Sequence, residues 1–253
     1  MQPKVKLLGV AVNAIDLPGT LEQIAAGLAA RRGGLVLLAP AHNLMAARRE
    51  PALRAVFNAA ALVVPDGMGT VWFLRGLGAQ AGRVYGPDLL RAACQRGLGA
   101  GWRHALLGGS PRVSQALVAR LQADYPGLQI VAALSPPFGE LGPAAEEQLL
   151  ADLNASQADI VWVALGSPRQ ERWMAAVQPR LQASWLVGVG AAFDFLSGAK
   201  PQAPAWMQQA GLEWLFRLLS EPRRLWRRYA EYPLFVCLAL GQKLGLLRFE
   251  EPA

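Results

Sequence analysis

Ile160-Val161-Trp162-Val163-Ala164-Leu165-Gly166-Ser167-Pro168-Arg169-Gln170-Glu171-Arg172-Trp173 is the stretch that decides the fold. Its first six residues are apolar, with β-branched and aromatic side chains, and read as a buried strand. Gly166-Ser167-Pro168 ends the run, and a proline near a helix start costs no hydrogen bond, since the amide it lacks has no partner there. Arg169–Gln178 comes next as a helix. The same strand–glycine–helix design recurs on either side. His104–Leu107 runs into Gly108-Gly109-Ser110-Pro111 and a helix over Val113–Tyr125, and Trp185–Val189 ends at Gly190. Leu35–Leu38, Ala61–Val64 and Gln129–Ala133 read as further strands, Leu44–Ala60 and Ala144–Asn154 as further helices. This alternation predicts an α/β fold, a Rossmann-like parallel sheet with helices on both faces. Ligands of such sheets bind at the carboxyl ends of the strands, here the loops after residues 107, 165 and 189. Leu77 to Gly101, glycine-rich and basic, reads as a mobile connection. From Pro204 onward the pattern is wholly helical, which divides the chain into an α/β domain (1–203) and a C-terminal helical, membrane-associating appendage (204–253).

Composition narrows the partners. The 253 residues carry a formal charge of +7 and are 53% hydrophobic, which excludes a disordered chain and favours anionic ligands: phosphates, acidic lipid or nucleic acid. Cys94 and Cys237 lie far apart in apolar surroundings and read as buried free thiols of a reducing cytoplasm. The opening residues do not read as a signal peptide, because their apolar stretch is short and broken by Asn13 and Asp16. The late apolar run Pro233–Gly241 is shorter than the ~20 residues a bilayer span needs. A membrane, if met, is met at its surface.

Positive charge gathers at the end. Arg217, Arg223, Arg224, Arg227, Arg228, Lys243 and Arg248 face only Glu221 and Glu231 in that region. Read as one helix, Leu212–Tyr229 projects Arg217, Arg224, Arg227 and Arg228 in similar directions. Guanidinium forks suit phosphate oxygens, and the interleaved Trp214, Leu215, Leu218 and Leu225 suit either a lipid–water boundary or an ordinary core.

Five further segments carry polar groups at strand ends. Asp66, in Pro65-Asp66-Gly67-Met68-Gly69, is either a general base for a hydroxyl or an N-cap. Arg83 and Asp88 bracket a turn in Arg83-Val84-Tyr85-Gly86-Pro87-Asp88-Leu89. Arg83 can hold a pyrophosphate, or the pair can be a surface salt bridge with Asp88 as a cap. Gly108 and Gly109 open a helix whose free amides attract phosphate, or form an ordinary turn. Gln170 and Glu171 come after Gly166 in the first turn of their helix; Glu171 suits the helix dipole, while Gln170 has no evident structural purpose. Asp194 lies beyond Gly188 and Gly190, between Phe193 and Phe195, and can bond a base or ribose or cap the next segment of chain. There is no Asp-x-Asp pair, no histidine–cysteine cluster for zinc, no Gly-x-Ser-x-Gly elbow and no full Gly-x-Gly-x-x-Gly fingerprint, so neither a metal nor a cofactor is expected.

In their order, these motifs resemble the WecG/TagA/CpsF glycosyltransferases, glycosyltransferase family 26, over roughly residues 8 to 230. They run Pro-Asp-Gly-x-Gly, Arg-x-x-Gly-x-Asp-Leu, Gly-x-Pro-x-Gln-Glu-x-Trp, Gly-Val-Gly-x-x-Phe-Asp-Phe-x-x-Gly, Glu-Trp-x-x-Arg and Glu-Pro-x-Arg. The resemblance implies an inverting, metal-independent enzyme of surface polysaccharide synthesis on the inner face of the bacterial plasma membrane. It would move an N-acetylhexosamine, N-acetylmannosamine or its uronic acid, from a UDP-sugar to a polyprenyl-diphosphate-linked saccharide. It implies Asp66 as base, Arg83 and Gln170 in the active site, and Arg217, Arg224 and Arg227 on the diphosphate. Two departures stand out. The family's Thr-x-Asn is replaced around Leu38-Ala39-Pro40-Ala41-His42-Asn43, where either His42 or Asn43 supplies the lost polar contact or the sugar specificity differs. Its Lys-Arg-Ala-Pro is Pro201-Gln202-Ala203-Pro204 here. The competing reading is a nucleotide- or dinucleotide-binding regulatory α/β protein without transferase activity. A nucleic-acid binder is not expected, since no module for it is present, and homo-oligomerisation is left open.

Overall fold

The computed structural model describes residues 3–139, 141–183 and 185–249. It contains a six-stranded parallel sheet whose spatial order is β4 (Leu62–Val64), β3 (Gly34–Leu38), β8 (Trp185–Gly188), β7 (Ile160–Ala164), β5 (Arg103–Gly108) and β6 (Gln129–Leu134). Strands β3, β7 and β8 are buried along almost their whole length, as strands covered on both faces must be, and this explains their unbroken apolar runs. Strand β6 lies at an edge and alternates between exposed and half-buried residues. The chain divides into two compact units, one of residues up to 17, 38–85 and 202 onward, the other of residues 18–37 and 86–201.

In the second unit the parallel registers pair Gly34 with Trp185 and His104 with Ile160. Around them lie α1 (Leu17–Ala29), α5 (Gly86–Ala100), α6 (Pro111–Asp124), α7 (Pro143–Ala155), α8 (Arg169–Val177) and α9 (Ala192–Leu196). Helix α5 corrects the expected connection over Leu77–Gly101. Leu89, Leu90, Ala93, Cys94 and Gly97 recur at helical spacing and are buried, and this stripe outweighs the unfavourable propensity of its glycines. Between β5 and β7 the side chains interlock, with Trp162 donating its indole N–H to Nδ1 of buried His104 at 3.1 Å.

In the first unit, β1 (Lys4–Leu7) and β2 (Val10–Asn13) form an antiparallel hairpin that the sequence did not announce. Its strands are too short to show a period. The stretch read as one helix over Leu44–Ala60 is two, α2 (Ala41–Arg49) and α3 (Pro51–Ala59). Glu50 between them is extended, at φ −120° and ψ 102°, as a residue before proline prefers. Helix α4 (Met68–Gly76) comes after β4. The C-terminal residues form α10 (Ala205–Gln209), α11 (Glu213–Ser220), α12 (Pro222–Tyr229) and α13 (Tyr232–Lys243). The single helix expected over Leu212–Tyr229 is therefore broken: Glu221 leaves helical geometry at φ −136° and ψ 61°, and Pro222 starts a new helix.

Helix α13 is held by one apolar and one polar anchor. Phe235 is 1% exposed and meets Phe73 of α4 edge-on, ring centroids 5.6 Å apart; burying such a ring contributes about 2–3 kcal/mol. The Gln242 amide accepts from the Leu8 N–H at 2.9 Å and donates to the Lys6 carbonyl at 2.7 Å, at the hairpin turn. The other side of α13 is apolar as well, with Leu234, Val236 and Leu240 exposed. Cys94 is buried as expected, but Cys237 is exposed on this outer face.

Candidate active site

Strand β4 ends at Val64, and Pro65 and Asp66 carry the chain to α4. The N-cap of α4 is Gly67, without any side-chain cap, so Asp66 does not serve as one. Its carboxylate receives the Gly67 N–H and lies in a pocket of about 80 Å³ within the first unit. His42, Gly67, Arg83, Gln208, Glu213, Trp214, Arg217, Tyr229 and Tyr232 also line that pocket. Burial pushes the Asp66 carboxyl up to about 6, against the opposing pull of Arg83. An acid so raised is mostly ionised at neutral pH yet far more basic than an ordinary carboxylate, the condition for a proton acceptor.

Arg83 stands on a segment pinned to β4, with the Val84 N–H on the Pro65 carbonyl at 2.8 Å. Its Nη1 donates to Gln208 Oε1 at 3.1 Å and its Nη2 to Glu213 Oε2. Its Nε faces Asp66 Oδ1 at 4.0 Å, beyond hydrogen-bond range. The guanidinium lies 4.1 Å over the centre of the Tyr85 ring, a cation–π contact.

Trp214, Tyr229 and Tyr232 of the pocket wall, together with Phe235, form an aromatic chain with centroid spacings of 5.2–6.5 Å. Burial and the nearby Arg228 and Arg217 hold His42 well below the usual histidine range, so it stays neutral. Asn43 does not line the pocket; it is buried and donates its amide to the Leu38 carbonyl at 3.0 Å. Leu38, near the place of the expected threonine, is 6% exposed.

The break after Ser220 redistributes the arginines. Arg217 on α11 reaches the pocket. Arg224 is exposed and pairs with Glu221 at 2.6 Å, and exposed Arg227 lies over the Trp226 ring. The shared direction expected of Arg217, Arg224, Arg227 and Arg228 required one continuous helix and does not occur. Arg228 is half-buried, and its charge is disfavoured by burial and by the charges of Arg217 and Arg224.

The second unit holds the remaining expected residues. Gln170 is 2% exposed; its Nε2 donates to Glu171 Oε1 at 3.1 Å, and its Oε1 has no hydrogen-bond partner among the described residues. Glu171, expected only to complement the helix dipole, is buried and also accepts from Ser167 Oγ at 2.6 Å. Gly188 leaves room for Gln170, since a Cβ there would lie 3.0 Å from its Nε2. Gly166 and Gly190 turn the chain at the ends of β7 and β8. At the tip of β5, Gly108 lies against the Ala164 carbonyl, where a Cβ would come within 2.5 Å of the oxygen. Gly109 leads into Ser110, whose Oγ caps α6 by accepting the Val113 N–H at 3.3 Å. Asp194 pairs with Lys200 at 3.0 Å, and Asp88, in the first turn of α5, lies 3.9 Å from Arg91.

Glu213, Tyr85, Gln208, Tyr229 and Tyr232 were not singled out from the sequence. Glu213 had a signal, since it opens the Glu-Trp-x-x-Arg motif that also carries Trp214 and Arg217. The tyrosines had none, because their meeting depends on how separate helices pack.

The sheet defines an α/β, Rossmann-like protein, and a carboxylate with a raised pKa beside arginines in a small pocket marks a candidate functional site. The chain matches the Glycosyl transferase WecG/TagA/CpsF family over residues 5–248 and belongs to it. It is a glycosyltransferase, with a sugar donor and an acceptor, and the reading as a regulatory protein without transferase activity gives way. Among the described residues no helix is long and apolar enough to cross a membrane.

Proposed function

We propose that this glycosyltransferase moves an N-acetylhexosamine from a UDP-sugar to a polyprenyl-diphosphate-linked saccharide, with inversion and without a metal, at the inner surface of a bacterial plasma membrane. The observation that carries the reading is the Asp66 carboxyl, raised to about 6 in a pocket lined by two arginines. The acceptor hydroxyl attacks the anomeric carbon, its proton passes to Asp66, and the bond to the UDP oxygen breaks. General-base help of this kind is worth roughly 10²–10⁴-fold. A space of about 80 Å³ suits the attacking end of an acceptor better than a whole ligand, which takes ~300–1,000 Å³. Arg217 lies where it can bind an anionic group of the acceptor, and His42, neutral, can bond a sugar hydroxyl. In the second unit, Gln170, with its unpartnered Oε1, is proposed to contact the donor.

The membrane part of the reading rests on α13 and the residues just after it. A helix apolar on its outer face as well as its inner one is unusual in water, and Leu234, Leu240, Leu244 and Leu246 are 49%, 44%, 69% and 75% exposed. Exposed Trp226 and the exposed Arg223, Arg224 and Arg227 add an aromatic and cationic fringe, which suits anionic lipid. The deciding assay combines the purified protein, a synthetic polyprenyl-diphosphate saccharide and a panel of UDP-sugars, with the product's anomeric configuration read by NMR. Transfer from one UDP-N-acetylhexosamine with inversion, undiminished by chelator, is expected. Retention of configuration, or a requirement for another nucleotide, would refute it.

A further inference from the structure

Two carboxylates compete for one guanidinium in the first unit, and the one on α11 holds it. Arg83 donates from Nη2 to Glu213 and from Nη1 to Gln208, and Gln208 is itself fixed by its amide on the Ala203 carbonyl at 2.8 Å. The edge left toward Asp66 is Nε, which is buried, 4.0 Å from Oδ1 and without a hydrogen-bond partner among the described residues. A free arginine beside a carboxylate would ordinarily close into a bidentate pair, and such a pair drives a carboxyl strongly acidic. Tyr85 beneath the guanidinium and the backbone bond from Val84 to Pro65 keep Arg83 close. What prevents the pair is therefore the pull from the other side, not distance along the chain.

We infer that Glu213 is a positioning residue: by holding the fork of Arg83, together with Gln208, it keeps that cation from closing on Asp66 and so keeps Asp66 able to accept a proton. The inference rests on the proposed general-base role for its catalytic meaning, though the hold itself can be tested without catalysis. Among the described residues, the charged and titratable groups facing Asp66 are few. Arg83 and Tyr85 come from the segment after α4, Glu213 and Arg217 from α11, Tyr229 from α12 and Tyr232 from α13, with His42 of α2 on the pocket wall. Of these only Glu213 raises the Asp66 carboxyl by its charge, while Arg83 and Arg217 lower it. Loss of Glu213 removes that charge and frees Arg83, and both changes act in the same direction.

The experiment tracks the Asp66 carboxyl carbon by ¹³C NMR across a pH titration, its resonance identified by its disappearance in Asp66→Asn. The wild type should titrate near 6. Glu213→Gln should lower the midpoint by about one to two pH units, shift the acidic limb of kcat/KM with it, and reduce kcat/KM at pH 8 by about three- to ten-fold through weaker basicity. Gln208→Leu removes part of the hold but no charge, and should produce a smaller shift of the same sign; it also serves if the Glu213 variant does not fold. Glu213→Asp should restore most of the wild-type midpoint. An unmoved or raised midpoint in Glu213→Gln and Gln208→Leu would overturn the inference. Full activity of Asp66→Asn alongside a lowered midpoint in Glu213→Gln would sink the general-base reading and uphold the hold of Glu213 on Arg83.

Discussion

Asp66 links function to a cost in stability. Its carboxyl is near 6 in the folded protein against an ordinary 3.8, so between those pH values the folded state keeps a proton that the unfolded chain has released. The contribution to folding is complete below about pH 4 and is lost as pH rises through 6. Above that, the ionised group costs up to about 3 kcal/mol. Asp66→Asn is thus expected to lower transfer by 10²–10⁴-fold while making the protein more stable at pH 8 by up to about 3 kcal/mol, a difference that shrinks toward pH 4. Urea unfolding at both pH values, next to the transfer assay, checks this. A variant that loses activity and stability together at pH 8 would mean that Asp66 holds the fold rather than the chemistry.

Strands β5 and β7 show how close backbone approach fixes residue choice. Gly108 has φ +118° and faces the Ala164 carbonyl with no space for a side chain. Gly108→Ala is expected to destabilise by about 3 kcal/mol or more, from both strain and overpacking, visible as a lowered Tm. Unchanged stability would show that the strand tips give way easily. In the same strand pair, His104 accepts the Trp162 indole N–H and is pushed by burial down to about 4. The unfolded chain takes up a proton below pH 6.5 that the folded state refuses, so stability from this group is present above 6.5 and lost as pH falls to about 4, by up to about 3 kcal/mol. His104→Gln, which keeps an acceptor but does not titrate, should flatten the fall in Tm between pH 7 and 4.5. His42 acts in the same direction as His104, and Asp66 opposes both.

At the level of the whole molecule, the exposed apolar face of α13 has the most consequence. Each leucine removed from water is worth about 1.5–3 kcal/mol. Replacing Leu234, Leu240 and Leu244 by serine should therefore weaken binding to anionic vesicles by more than tenfold in a flotation assay. The Tm should stay within a few degrees, because the buried residues of α13, Phe235 and Ala239, are left untouched. Raised salt should weaken the wild type too, since the arginine fringe is screened. Vesicle binding that survives the triple substitution would remove α13 from the interface.

The sequence by itself determined the parallel α/β sheet, because buried strands and the glycines at their tips are local chemistry written in consecutive residues. By motif order it also singled out Asp66, Arg83 and Arg217, three side chains that line one pocket. It misread α5, where an apolar stripe was hidden among glycines, and it joined helices that Pro51 and Pro222 divide. Only the tertiary structure decided that Arg217 turns into the pocket while Arg224 and Arg227 face outward. The same holds for Glu213, 130 residues further along the chain, holding Arg83. Such pairings depend on where separate helices come to rest, and no spacing along the chain encodes a contact made only after folding.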